Sequence, residues 1–399
     1  MRPWQSLKNS LRRVLSYRRG LRREGSFAAW LWRIKAATNP ALRSRLVDEF
    51  LFAARRAGVP LLEPLSRRPG FDRMIFLYRG PSERVSLSAD FSGLVPDTRF
   101  SAVPGTNLQY FAHEFESDAR FDYRLVLDSG DYVLDPLNPR AMTAVFGTNS
   151  VCWGSEYAPA PEWEARRGVP SGTVEEAEFA SEIRGNSRRI GIYLPPGYKH
   201  SAWRCASLYV HDGLDYLKVT GITHILDNLI HRKTLAPVMA VFIPPVEREK
   251  EYDASPEFAR AVARELVPWV DKKYRTAAQP ESRAVLGASM GGLISVYLGA
   301  HHAEVFGNVA SHSGAYLTDA MPRAIRTRPQ LASKFHLDVG TYEASYAGKD
   351  LVEGNRRLRD ALQARKCVLQ YREVHEGHSW GSWRARIAEA LRFFWGKRN

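Results

Sequence analysis

From about residue 176 to the C-terminus, short apolar strands alternate with helical segments, and this alternation leaves few folds open. Strand signatures stand at 188–194 (RRIGIYL), 206–211 (ASLYVH), 238–243 (VMAVFI), 283–287 (RAVLG), 335–340 (FHLDVG) and 368–374 (VLQYREV). Helical periodicity fills 255–274, 290–302, 350–365 and 384–395. Strands that are apolar on both faces need cover on both faces, so the segment predicts an α/β fold with a mostly parallel, doubly wound sheet.

Upstream the period changes. Between residues 72 and 135, short runs rich in aromatic and β-branched residues (RMIFLYR, RVSLSA, LQYFAHEF, FDYRLVL, YVL) are cut by turn clusters such as GPSE, SGLVPD and DSGD. Close spacing of this kind predicts an all-β, immunoglobulin-like sandwich. Residues 42–57 read as an amphipathic helix stopped at Gly58, before Pro60. The expected organisation is therefore a basic tail over 1–40, a sandwich domain over 41–154, a Pro-, Gly- and charge-rich linker over 155–175, and an α/β domain over 176–399.

Composition sets the outer limits. With 399 residues, 44% hydrophobic and 25% charged, the chain has material for two packed domains, and global disorder is excluded. No run reaches the eighteen or so apolar residues of a membrane span, and no signal peptide is evident, which leads to the expectation of a cytoplasmic protein. The three cysteines, Cys152, Cys205 and Cys367, are far apart and form no metal-site spacing, so neither a disulfide framework nor a metal or other cofactor is expected.

The net charge of +14 would suggest nucleic acid, but the first 70 residues hold 16 Lys and Arg against 4 Asp and Glu, which leaves the remainder close to neutral. No nucleic-acid partner is expected. Residues 1–35 carry ten basic residues and one acid, with Trp4, Leu7, Leu11 and Val14 on one helical face. That stretch reads either as a solvated extension, as a weak contact with anionic membrane, or as a twin-arginine export signal, whose apolar segment is here short and broken by Arg33 and Lys35.

The sharpest chemical signal is Gly287-Ala288-Ser289-Met290-Gly291-Gly292, directly after one strand and directly before a helix. A GxSxG turn in that context is a nucleophile elbow: small residues let the backbone turn abruptly and leave the serine Oγ exposed above the sheet. A serine needs a base, and in the α/β-hydrolase order the acid and then the histidine follow the nucleophile. His378 lies after the last strand signature and before the last helix, which is the expected place. His375 belongs to the strand end, and His312 follows the strand next after the elbow. For the acid, Glu343 on a loop after Gly340 competes with Asp338 inside a strand and with Asp350. A loop carboxylate can reach the imidazole more freely, which favours Glu343. The oxyanion of an acyl-transfer intermediate needs backbone N–H donors. Met290 supplies one by position, and the region of Gly213 and Leu214, after the strand ending in Tyr209-Val210-His211-Asp212, is the expected second.

At this point the residues resemble a known group. Tyr193-Leu194-Pro195-Pro196-Gly197-Tyr198, Asp212-Gly213, the stretch Arg248 to Tyr274 with Glu251-Tyr252 and Glu265-Leu266-Val267-Pro268, the GASMGG elbow, Gly340-Thr341-Tyr342-Glu343, Gly377-His378-Ser379-Trp380 and Trp383-Arg384 are similar to the enterochelin (ferric enterobactin) esterases. These belong to the wider putative-esterase group of α/β-hydrolases that includes feruloyl esterases and mycolyltransferases. Upstream, Gly58-Val59-Pro60-Leu61-Leu62-Glu63-Pro64, MIFLYRG and Leu134-Asp135-Pro136-Leu137-Asn138-Pro139 look like the N-terminal domain of the same esterases, which in the family helps form the substrate cleft. The resemblance implies a serine esterase opening the lactone of a small, anionic catecholate siderophore, carrying iron or free of it. It supports Glu343 as the acid and implies Arg248 and Trp380 as substrate contacts, with an ion pair from Arg248 to Glu251 as the alternative. His211 departs from the apolar residue common before Asp-Gly. A carbohydrate esterase releasing feruloyl or acetyl groups, and a non-enzymatic binding protein, are the competing readings.

Overall fold

The computed structural model describes residues 25–145 and 147–396, and the chain divides into two units, 1–158 and 159–399. The helical face expected from Trp4 to Val14 lies outside the described residues.

The first unit begins with two helices. Phe27–Ala36 is capped by Ser26, whose Oγ accepts the Ala29 N–H, and Pro40–Ala57 by Asn39, whose Oδ1 accepts the N–H groups of Ala41 and Leu42. Pro40 takes the first helical position, where its missing N–H costs nothing. Phe27, Trp30 and Ile34 are buried with Phe50, Leu51 and Ala54 and with the strand residues Ile75 and Leu77. The expected tail through residue 40 is therefore corrected: residues 27–36 of it form a packed helix, because their apolar side chains recur at helical spacing even though Arg33 and Lys35 break the run.

Two antiparallel sheets complete this unit. One has Leu61–Pro64, Phe71–Arg79, Leu108–Glu116 and Ser101–Ala102 in that order; the other has Ser86–Ala89, Arg120–Val126, Gly147–Trp153 and Ala141–Ala144, with Tyr132–Val133 on Arg120–Val126. Aromatic side chains fill the space between the sheets. Phe76 of one meets Tyr123 of the other edge-on at 5.0 Å, and Phe91 packs on Phe115 and Phe121 at 4.6 and 4.8 Å.

In the second unit eight strands form one sheet: β1 Thr173–Ser181, β2 Asn186–Leu194, β3 Ala206–His211, β4 Val238–Ile243, β5 Arg283–Ala288, β6 Asn308–His312, β7 Lys334–Gly340 and β8 Val368–Val374, in the order β1-β2-β4-β3-β5-β6-β7-β8. Pairings from β4 through β8 are parallel, and β1 and β2 are antiparallel. The central strands β4 and β5 are buried along their whole length, as their apolar runs require, and Arg283 at the start of β5 is paired with Asp271.

The stretch expected to be a linker, 155–175, holds one short helical turn and the first three residues of β1. β1 is an edge strand in which Ala177, Phe179 and Ser181 face inward while Glu176 and Glu178 face solvent. Its acidic residues hide a strand in the sequence because charge is what protects an edge from pairing with another chain. The short helical turn Pro161–Trp163 buries Glu162, which accepts from Arg232 Nη1 at 3.0 Å and Arg392 Nη2 at 2.6 Å. Among the described residues no helix is long and apolar enough to cross a membrane.

Candidate active site

Parallel strands deliver their C-terminal ends to one edge of the sheet, and the residues singled out above sit at or just beyond those ends. Ser289 follows β5 at φ 57° and ψ −121°, a region costly for a side-chain-bearing residue, and precedes the helix Met290–His301. Two of the three elbow glycines, Gly287 and Gly292, are required by space. A Cβ on Gly287 would lie 2.3 Å from the Gly291 carbonyl oxygen, and one on Gly292 would lie 2.4 Å from Ser311 Oγ. Ser289 is half-buried and Met290 is the first residue of the helix that follows.

Glu343 sits on a short helical turn, Thr341–Ser345, directly after β7, and is fully buried. Its Oε2 lies 2.7 Å from His378 Nδ1, and its Oε1 accepts the Gly340 N–H at 2.8 Å and the Ser313 hydroxyl at 2.7 Å. Gly340 permits this approach, since a Cβ there would lie 2.0 Å from the Glu376 carbonyl oxygen. The His378 ring lies against Tyr346 at 4.2 Å and meets Trp383 edge-on at 4.9 Å.

The competing acids have other partners. Asp338 points into the interior, where Oδ2 lies 2.6 Å from His312 Nδ1 and Oδ1 lies 2.9 Å from Arg386 Nε. Burial alone would raise its pKa, but the Arg386 cation and His312 outweigh that and hold the carboxyl well below its ordinary range. Asp350 caps the helix Leu351–Ala364 by accepting the Glu353 N–H at 2.9 Å. His312 is fully buried. His312, His336 and Asp338 also bring potential ligand atoms within 4.8 Å of one another. With Arg386 already against the carboxylate, a divalent ion there would add charge to a sealed cationic neighbourhood.

Across the sheet, Asp212 directly follows β3 in a left-handed conformation, φ 53°, and Gly213 and Leu214 open the helix Gly213–Val219. A Cβ on Gly213 would lie 2.3 Å from the backbone of Phe242 and Ile243, so only glycine lets this turn settle on β4. Asp212 also borders the elbow, with Oδ2 3.4 Å from the Cβ position of Gly291.

The expected alternative for Arg248, an ion pair with Glu251, is corrected. Arg248 Nε and Nη2 each lie 2.8 Å from a carboxylate oxygen of Asp212. Glu251 is instead taken by Arg188, at 2.8 and 2.9 Å. Hydrogen bonding to Asp212 raises the Arg248 pKa further. Tyr252, four residues on, holds the same loop: its Oη accepts the Asp212 N–H at 2.8 Å. Trp380 is half-buried, with its ring edge-on to Tyr216 and to Trp383, each at 5.1 Å. His211 is sealed against Tyr252 and Phe258, and burial followed by the Arg188 charge pushes its pKa down to about 3.

Sequence reasoning did not single out Ser313, which was visible only as a neighbour of His312, or Asp212 and Tyr252 as partners. A polar residue followed by glycine just past a strand end was the available signal for both Ser313-Gly314 and Asp212-Gly213.

The comparisons with known proteins agree with this architecture. Residues 181–394 match the family described as "Putative esterase". The iron(III) enterobactin esterase of Dickeya dadantii is 25% identical over 406 residues, covering 85% of this chain and 90% of that protein. The ferric enterobactin esterase structure from Salmonella typhimurium superposes with a TM-score of 0.73 at 21% identity, covering 84% of this chain and 95% of that one, and shows the same mixed α/β fold. The endo-1,4-beta-xylanase/feruloyl esterase of Xylanibacter ruminicola is 26% identical over 57% of this chain and 32% of that protein. This chain belongs to the putative esterase family as an enterochelin esterase-like member, and it is a carboxylic ester hydrolase.

Proposed function

We propose that the chain hydrolyses carboxylic esters through Ser289, His378 and Glu343, and that its substrate is a lactone-linked catecholate siderophore of the enterobactin type. Ser289 Oγ attacks the acyl carbon while His378 Nε2 takes its proton, and Glu343 holds the Nδ1–H and stabilises the imidazolium that forms. The Met290 N–H and the backbone at Gly213 and Leu214 face the oxyanion. Collapse of the intermediate passes the proton from His378 to the leaving alcohol, and a water then repeats the sequence on the acyl-enzyme.

What supports the triad is the 2.7 Å contact between Glu343 and His378 in the loops after the last two strands, with Ser289 at a strained strand-to-helix turn. What supports the siderophore over other esters is coverage. Similarity to an enterobactin esterase runs over 85% of the chain, whereas the feruloyl esterase match covers 57%. The enterobactin esterase likeness therefore takes in N-terminal residues that we read as an immunoglobulin-like sandwich. A feruloyl esterase acting on polysaccharide is the second reading, favoured by the hydrolase-unit similarity alone.

The test is a hydrolysis panel of ferric and iron-free trilactone siderophores, feruloyl sugars and p-nitrophenyl esters. The trilactone is expected to turn over with the highest kcat/KM; a clear preference for feruloyl sugars rejects the siderophore reading. A fluorophosphonate is expected to label Ser289, and Ser289→Ala to lose turnover by roughly 10⁴-fold or more.

A further inference from the structure

The segment after β6 touches both ends of the proposed machinery. The His312 carbonyl accepts the Ser289 N–H at 2.9 Å, and the next residue, Ser313, donates its hydroxyl to Glu343 Oε1 at 2.7 Å. Ser313 is fully buried, at φ 49°, and is pinned by its own N–H on the Asp338 carbonyl at 2.7 Å. Its neighbour Gly314 is held in turn, its carbonyl accepting Asn355 Nδ2 at 2.8 Å. A strained residue this firmly tied points to a task at the site.

The direction of each hydrogen bond follows from the donor inventory. Trp383 Nε1 lies 3.0 Å from Ser313 Oγ, and an indole nitrogen can only donate. The single Ser313 proton is therefore left for Glu343, whose ionised carboxylate can only accept. The chain runs Trp383 to Ser313 to Glu343, and His378 Nδ1 donates from the other side. It closes on itself, because the Trp383 ring stands edge-on to the His378 ring at 4.9 Å and an interplanar angle of 90°.

We propose that Ser313 is the positioning residue of the acid and that Trp383 couples it to the imidazole; this rests on the triad reading above. With Oε1 occupied by Ser313 and Gly340, the carboxylate is held against rotation and Oε2 alone faces His378. Removing the hydroxyl leaves the triad side chains in place but loosens the carboxylate, so the loss falls on the chemical step rather than on binding.

The experiment uses the full chain and p-nitrophenyl butyrate. Ser313→Ala is expected to lower kcat about 30-fold with KM within about threefold. In the same variant the low-field proton resonance of the His378 Nδ1–H, visible in the wild type and absent in His378→Gln, is expected to broaden. Trp383→Phe, which keeps the ring but removes the donor, is expected to act in the same direction and to add little to Ser313→Ala. A folded Ser313→Ala protein with wild-type kcat and a sharp resonance overturns the inference. If the wild type itself neither turns over the ester nor labels at Ser289 with a fluorophosphonate, the triad reading fails, and the inference with it.

Discussion

Arg248 and Asp212 form a two-pronged ion pair, Nε and Nη2 each 2.8 Å from one of the two carboxylate oxygens. Tyr252 on the same short helix accepts the Asp212 N–H, so one helix, Arg248–Tyr252, holds both the side chain and the backbone of a left-handed residue beside Gly213. If that loop supplies an oxyanion donor, its placement affects every ester alike. Arg248→Gln is expected to lower kcat roughly tenfold on neutral and anionic esters equally, a fraction of the 10²–10³ lost when a donor is removed outright. A rise in KM confined to anionic substrates would instead make Arg248 a direct substrate contact.

Glu343 and Asp338 are both fully buried, and they predict opposite mutant behaviour. Glu343→Gln should stay folded and lose several orders of magnitude in kcat, since an amide cannot stabilise an imidazolium. Asp338→Asn removes the nearer of two carboxylates facing the buried Arg386, at 2.9 Å against 3.8 Å for Glu376, and should cost about 3 kcal/mol of stability. Urea melts alongside steady-state kinetics separate the two; a stable, inactive Asp338→Asn would reassign the acid.

Acid should weaken the fold well above the carboxylate range. Burial holds His336 down to about 4 and His211 to about 3, while an unfolded imidazole titrates near 6.5. Below pH 6.5 the unfolded chain therefore binds more protons than the folded one, so stability is full above that pH and falls as pH drops through 6.5 towards 4. For His336 the loss amounts to roughly 3 kcal/mol. Melting temperatures of wild type and His336→Gln between pH 8 and 4.5 test this: the variant should show the shallower decline.

The N-terminal charge should be separable from catalysis, but only up to the first packed helix. Residues 1–24 contain eight Lys and Arg and one Glu, and each basic residue near an anionic surface contributes on the order of 1 kcal/mol at low salt. Deleting 1–24 is expected to leave p-nitrophenyl ester hydrolysis unchanged and to abolish co-sedimentation with phosphatidylserine-rich vesicles; equal sedimentation of both forms rejects the membrane contact. Deleting through residue 35 removes the buried Phe27, Trp30 and Ile34 and should lower the melting temperature as well.

The sequence by itself determined the features whose causes lie within a few residues. The Gly287-to-Gly292 turn declares the elbow because side chains on Gly287 and Gly292 would collide with Gly291 and Ser311, and the apolar runs of β4 and β5 declare strands covered on both faces. Tertiary structure decided the pairings. Whether Glu343 or Asp338 lies against His378, and whether Arg248 meets Asp212 or Glu251, was decided by partners 35 and 36 residues apart, brought together by the strand order and not by local spacing. The same holds for β1, whose acidic residues conceal a strand until β2 pairs with it, and for Phe27–Ala36, whose short, interrupted apolar face is stabilised by the helix and strands it packs against. Local sequence sets backbone conformation, but the partner of a buried charge is chosen by whichever distant side chain the fold places within hydrogen-bonding reach.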